Sequence, residues 1–121
     1  MAKTVRSYRD LIIWQKAIEL AKQVYVLTHK FPKYETYGLA DQLRRSSVSV
    51  ASNIAEGQAR QHTGEFRQFL YTALGSAAEV DTQCVIAHEL DYITTEEAAD
   101  IEQRIVELRK MTYTLISRLP G

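Results

Sequence analysis

The chain has 121 residues, no net formal charge, 45% hydrophobic and 25% charged side chains, five glycines and two prolines. That is enough for one domain, residues 1–121, with a real core, and too few turn-formers for disorder or a many-turned all-β fold. Cys84 is the only cysteine, which excludes an intrachain disulfide or a cysteine-based metal site, and no apolar run reaches the roughly 18 residues of a membrane span. With no apolar signal segment in MAKTVRSYRD, a cytoplasmic protein without membrane contact is expected.

The first helix is predicted over about residues 8–29, with Ser7 as N-cap and Leu11, Trp14, Ile18, Ala21, Tyr25 and Thr28 as its apolar stripe. Phe31-Pro32 ends it, because proline disfavours helical backbone in the residue before it. The second helix, about 38–59, turns Ala40, Leu43, Ser47, Val50 and Ile54 inward. Its stretch 42–60 has almost no bulk, since Ser46, Ser47, Ser49, Ala51, Ser52, Ala55 and Gly57 crowd one region and invite close helix approach. Gly57 is expected to begin the unwinding of its C-terminus. The third helix, about 63–91, repeats Phe66, Leu70, Ala73, Ala77, Val80, Cys84 and Ala87 at alternating spacings of four and three. The fourth, about 95–118, opens on the capping box Thr94/Glu97 and carries Ala98, Ile101, Ile105, Leu108, Thr112, Leu115 and Leu119 inward.

Four amphipathic helices with short loops predict an all-α, antiparallel up-down-up-down four-helix bundle, and self-association is expected as well. The competing architecture is a longer coiled-coil hairpin that completes its core by dimerising. Self-association is read from the third helix, which carries apolar Tyr71, Ala78, Val85 and Ile86 outside its seam. Gly75 lies on that outer side as well, and a helical glycine costs about 1 kcal/mol relative to alanine. Close approach by another subunit would account for it.

The runs Gln42-Leu43-Arg44-Arg45 and Ser52-Asn53-Ile54-Ala55-Glu56-Gly57, followed by Arg60, resemble the four-helix-bundle family also called 23S ribosomal-RNA intervening-sequence proteins. LIIWQKA at 11–17, Phe31-Pro32, Glu35-Tyr37-Gly38-Leu39, and Phe69-Leu70, Ala73, Gly75-Ser76 and Glu79 extend the likeness to about residues 8–118. The resemblance implies a left-handed antiparallel bundle assembled as a ring, most often a homopentamer, without an established catalytic residue. It makes Arg44, Arg45, Asn53, Glu56, Gly57, Gly75 and Glu79 the family-motif and assembly residues. The fold it implies is also similar to accessory proteins of diversity-generating retroelements, pentamers that engage nucleic acid.

Enzyme chemistry finds no foothold. His29, His62 and His88 are not clustered, and valine at position 85 breaks the Glu-x-x-His pattern of a di-iron bundle. His88-Glu89 lacks the second histidine of a zinc-protease helix, no glycine-rich phosphate loop occurs, and Cys84 falls on the apolar seam without a base beside it. No catalytic residue, metal ligand or cofactor is assigned.

The neutral total hides an uneven distribution. The predicted topology gathers residues 1–10, 58–68 and 107–121 at one end, with basic Lys3, Arg6, Arg9, Arg60, Arg67, Arg109, Lys110 and Arg118 against Asp10, Glu65 and Glu107, a balance of +5. The other end, residues 28–45 and 88–102, sets four basic side chains against eight acidic ones. A cyclic ring would pool five basic ends into a face of +25, suited to RNA or DNA backbone and without a base-reading motif. The alternative is a protein-interaction scaffold or accessory subunit for an unidentified protein, without direct nucleic-acid contact.

Overall fold

A computed structural model describes residues 6–121. Four α-helices carry the chain: α1 (Ile12–Thr28), α2 (Leu39–Ala59), α3 (Thr63–Glu89) and α4 (Thr95–Arg118). No strand occurs among the described residues.

The first helix starts later than its sequence suggests. Ser7 does act as a cap, but of a 3-10 turn, Tyr8–Asp10: its hydroxyl accepts the Arg9 N–H at 3.2 Å, and the Asp10 carboxylate accepts the Arg6 and Ser7 N–H groups at 2.8 and 3.4 Å. That box closes over a single turn, so Leu11 stands extended and α1 begins at Ile12. The inward face of α1 also differs from the expected stripe. Ile13, Ala17, Leu20, Val24 and Leu27 are buried with Thr28, whereas Leu11, Trp14 and Ile18 pack on the flank and Tyr25 is half exposed.

Gly38 precedes α2 and offers no capping side chain, so Glu35 reaches forward instead and accepts the Leu39 N–H at 3.2 Å. A Cβ on Gly38 would lie 2.6 Å from that carboxylate, so a larger residue there would displace the end of the Glu35 side chain from its bond to Leu39. The inner stripe of α2 is buried as predicted: Ala40, Leu43, Ser47, Val50 and Ile54. Gly57 does not unwind the helix, which continues to Ala59. It lies against α3, where an added Cβ would come within 2.5 Å of the Phe69 Cβ.

Helix α3 buries Leu70, Ala73, Ala77, Val80, Cys84 and Ala87, with Phe66 partly covered. It ends at Glu89, two residues early, because Asp91 takes a left-handed conformation (φ 61°). The Asp91 N–H then bonds the His88 carbonyl at 3.0 Å and the Tyr92 N–H the Ala87 carbonyl at 2.9 Å, closing a Schellman cap. The predicted box opens α4: Thr94 Oγ1 accepts the Glu97 N–H at 3.1 Å and Glu97 Oε1 the Thr94 N–H at 2.8 Å.

Each helix packs against two neighbours around one core, and the backbones of the diagonal pairs α1–α3 and α2–α4 stay more than 8 Å apart between Cα atoms. The α2–α3 pair is the most extensive and α1–α4 the least. Along α1–α4, Lys16 meets Glu107 at 2.6 Å and Lys30 meets Glu97, so partners on one helix advance while those on the other recede.

Candidate nucleic-acid interface

The expected basic end is assembled from three parts of the chain. Leu11, the α2–α3 connection around His62 and Leu115 of α4 line one hollow. Arg67, at the start of α3, donates through Nη2 to the Pro120 carbonyl at 2.8 Å and the Leu119 carbonyl at 3.5 Å. The end of the chain is thereby tied to α3. Of the eight basic side chains expected here, Lys3 lies outside the described residues.

The seven others divide by their partners. Arg60 donates to Glu56 at 3.1 Å, stands 3.8 Å from Glu65 and covers the Phe69 ring at 5.3 Å. One guanidinium shared by two carboxylates is already neutralised. Arg67 is engaged by the terminal carbonyls, and Arg9 lies over the Trp14 ring at 5.7 Å. Arg6, Arg109, Lys110 and Arg118 are exposed and have no ion-pair partner among the described residues. Lys110 and Arg118 fall on one side of α4 because they are eight residues apart, with Thr114 between them. Their place near the helix C-terminus also suits the helix dipole.

Of the family-motif residues, Arg44 and, by packing, Gly57 join helices, while Arg45, Asn53 and Glu56 bond within α2 or at its end. Arg44 Nε donates to Thr28 Oγ1 at 2.9 Å and its guanidinium covers the Tyr25 ring at 5.3 Å, binding α2 to α1. Arg45 pairs with Asp41 at 2.9 Å on its own helix, and Glu56 with Arg60. Asn53 donates to the Ser49 carbonyl and hydroxyl at 2.8 and 2.9 Å, and the Ser49 hydroxyl meets that of Ser76 at 2.9 Å across α2–α3. Gly75 and Glu79 behave differently. Both are exposed on α3, nothing lies within 4 Å of a Cβ at Gly75, and with Thr82 they edge a hollow of about 230 Å³. Gln83 lines it too, and its buried Oε1 has no hydrogen-bond partner among the described residues.

The sequence of residues 9–114 matches the profile of the 23S rRNA-intervening sequence protein family. The chain belongs to that family. Among solved structures, this member of the 23S rRNA-intervening sequence family is similar to a protein of unknown function from the S23 ribosomal protein family of Bacteroides thetaiotaomicron. The two are 24% identical with a TM-score of 0.80, over 87% of this chain and 98% of that one, a likeness of fold. No curated protein matches the chain.

No group of three or more His, Cys, Asp and Glu among the described residues could hold a metal ion, and no helix there is long and apolar enough to cross a membrane. Cys84 is buried in the core; burial first and the Asp81 charge second push its thiol up to about 12, so it stays a neutral packing group. His29 and His62 are exposed, and His88 meets Thr95 Oγ1 at 3.2 Å. What the sequence could not reveal was which cations are spent internally. Arg60 carried one signal, carboxylates four residues before and five after it.

Proposed function

We propose that this protein is a non-enzymatic cytoplasmic homo-oligomer, a ring of antiparallel up-down-up-down bundles, pentameric as the family resemblance implies. It binds the backbone of RNA or DNA through the basic end. The observation that carries this reading is the grouping of Arg6, Arg109, Lys110 and Arg118, exposed and with no side-chain ion pair among the described residues, where α1 begins and α4 ends. Repetition around a ring multiplies a charge that one subunit alone holds too thinly. Backbone binding of this kind is sequence-tolerant and weakens steeply with salt.

The oligomer itself is supported by the outer side of α3. Tyr71, Val85 and Ile86 are exposed at 50%, 55% and 44%, beside the open Gly75. A solvated apolar strip around a helical glycine gains its value once another helix covers it.

Labelled poly(U) titrated across a salt series tests the function, with light scattering for the assembly. Arg109→Glu with Arg118→Glu is expected to abolish binding at moderate salt and to lower the log–log salt slope by about 0.7 for each phosphate left without its cation. Binding that ignores salt, or survives that double variant unchanged, would refute the basic-end reading. A stable monomer at high concentration would refute the ring.

A further inference from the structure

Two hollows open on the basic end, and they adjoin. One, of about 610 Å³, lies between the start of α1 and the end of α4 over Ile12, Ile13 and Met111. The other, of about 320 Å³, lies beside the α2–α3 connection over Gly57, His62 and Phe66. Leu11 and Leu115 line both, so together they form a trough with a low apolar divide. Each volume is within the roughly 300–1,000 Å³ of ligand sites. Ile12 on its floor is 57% exposed, a cost no contact among the described residues offsets.

The rim is cationic. Lys110, Thr114 and Arg118 line the larger hollow at four-residue intervals, which sets the two cations about 12 Å apart along the helix. Neither has an ion-pair partner among the described residues. The carboxylate that lines the same hollow, Asp10, is turned to the Arg6 and Ser7 N–H groups. A nucleic-acid backbone would use the rim and leave the apolar floor unexplained. Apolar floor and cationic edge together call for a ligand with greasy anchors and negative charge.

We propose that this trough docks an acidic peptide segment of a partner protein, two apolar side chains filling the two hollows and carboxylates meeting Lys110 and Arg118. The inference does not rest on the nucleic-acid reading. Charge argues against the chain's own residues 1–5, which carry Lys3 and no acid. The acidic end of a second copy fits poorly as well. Its exposed Tyr34 belongs to a 3-10 turn, Lys33–Glu35, pinned by the Tyr92 hydroxyl, which donates to Glu35 Oε2 at 2.9 Å and accepts from the Tyr34 hydroxyl at 3.2 Å. Such a turn offers no segment free to lie in a trough.

The probe is a fluorescein-labelled synthetic peptide of leucine and glutamate, with its leucines two helical turns apart, followed by anisotropy at low salt. Controls replace its glutamates by lysine or its leucines by serine. The parent peptide is expected to bind, and each control to bind about tenfold more weakly or worse. Ile12→Asp and, separately, Lys110→Glu with Arg118→Glu should each weaken it about tenfold, while Lys33→Glu, at the opposite end of the bundle, leaves it unchanged. All three replace exposed side chains, and circular dichroism checks the helices.

No binding, equal binding of the serine control, or indifference to Ile12→Asp would overturn the proposal. So would peptide binding that arises only after residues 1–5 are removed, or self-association that Ile12→Asp abolishes, since the trough would then belong to the chain itself. Poly(U) binding retained by Ile12→Asp supports separate ligands for rim and floor; poly(U) binding lost with it would give the trough to nucleic acid. Failure of the peptide with poly(U) binding intact sinks this inference alone, and the reverse sinks the nucleic-acid reading alone.

Discussion

The α2–α3 and α1–α4 sides solve the same packing problem in opposite ways. On α2 and α3 the buried positions include Ser46, Ser47, Ala51, Gly57, Ala73, Ser76 and Ala77, so the two backbones approach until Gly57 meets the Phe69 Cβ. On α1 and α4 the buried set is dominated by Ile13, Leu20, Val24, Leu27, Ile101, Ile105, Leu108 and Ile116. Small residues give close contact along the whole seam and leave no room in it. Large ones hold the helices apart, with ion pairs at the rim and an open trough at one end. The larger of the two hollows therefore lies on the loosely packed side, and the smaller one opens only where the α2–α3 seam ends.

The comparison breaks first in the core. Leu70 on α3 is fully buried, so Leu70→Ala should cost about 2–5 kcal/mol in urea unfolding. Met111→Ala, at the half-covered trough, should cost about 1 kcal/mol. Equal losses would erase the distinction between the sides.

Two glycines sharpen it next. Gly57→Ala gains about 1 kcal/mol of helix propensity but forces α2 and α3 apart, at about 1–3 kcal/mol, so a lower melting temperature is expected. Gly75→Ala meets open space and should raise stability of the single chain by about 1 kcal/mol. If the outer side of α3 is where subunits meet, the same Gly75→Ala change should weaken assembly in light scattering. Opposite signs from the same substitution in one subunit would separate a packed glycine from a docking glycine.

The seams of α2 and of α4 as far as Thr112 were legible because one side of each is apolar and the other is not; at the end of α4 Ile116 is buried in place of Leu115. That of α3 was legible because its heptad spacing stands out even beside the outer Tyr71, Val85 and Ile86. Helix α1 was not, for a physical reason. Its ends read Leu11-Ile12-Ile13-Trp14 and Val24-Tyr25-Val26-Leu27, apolar nearly all round, so two stripes satisfy the same three-and-four spacing. Packing selects Ile13 and Val24, leaving Ile12 and Val26 exposed at 57% and 64%. Polarisation of charge along the molecule could be counted from the sequence. Which cations remain available could be read only in part, since Arg60 has its carboxylates close in the sequence but Arg67 is engaged by the Leu119 and Pro120 carbonyls, which only the fold brings near.

The smallest expected effect is electrostatic and belongs to the α1–α4 rim. The Lys30 ammonium first, and the Thr94 N–H after it, hold the Glu97 carboxyl below its ordinary value of 4.5. A carboxylate depressed in the fold stabilises it fully above the unfolded value, and that contribution disappears as pH falls through the folded one. Unfolding midpoints should therefore drop below pH 4.5, and Glu97→Gln should flatten that decline. Tyr92 acts in the other direction. Its bond with Tyr34 first, then burial and Glu35, raise its hydroxyl above the ordinary 10, so its contribution is present below that pH and is lost as pH climbs through the raised value. Tyr92→Phe should remove the alkaline loss and leave the acid one. Lys30 is 46% exposed and Glu97 26%, so salt should shrink the acid effect further. The contact of Gly57 with Phe69 is apolar, so Gly57→Ala should lower stability by nearly the same amount across the range above about pH 5 where the neighbouring Glu56 and Glu65 keep their pairing with Arg60.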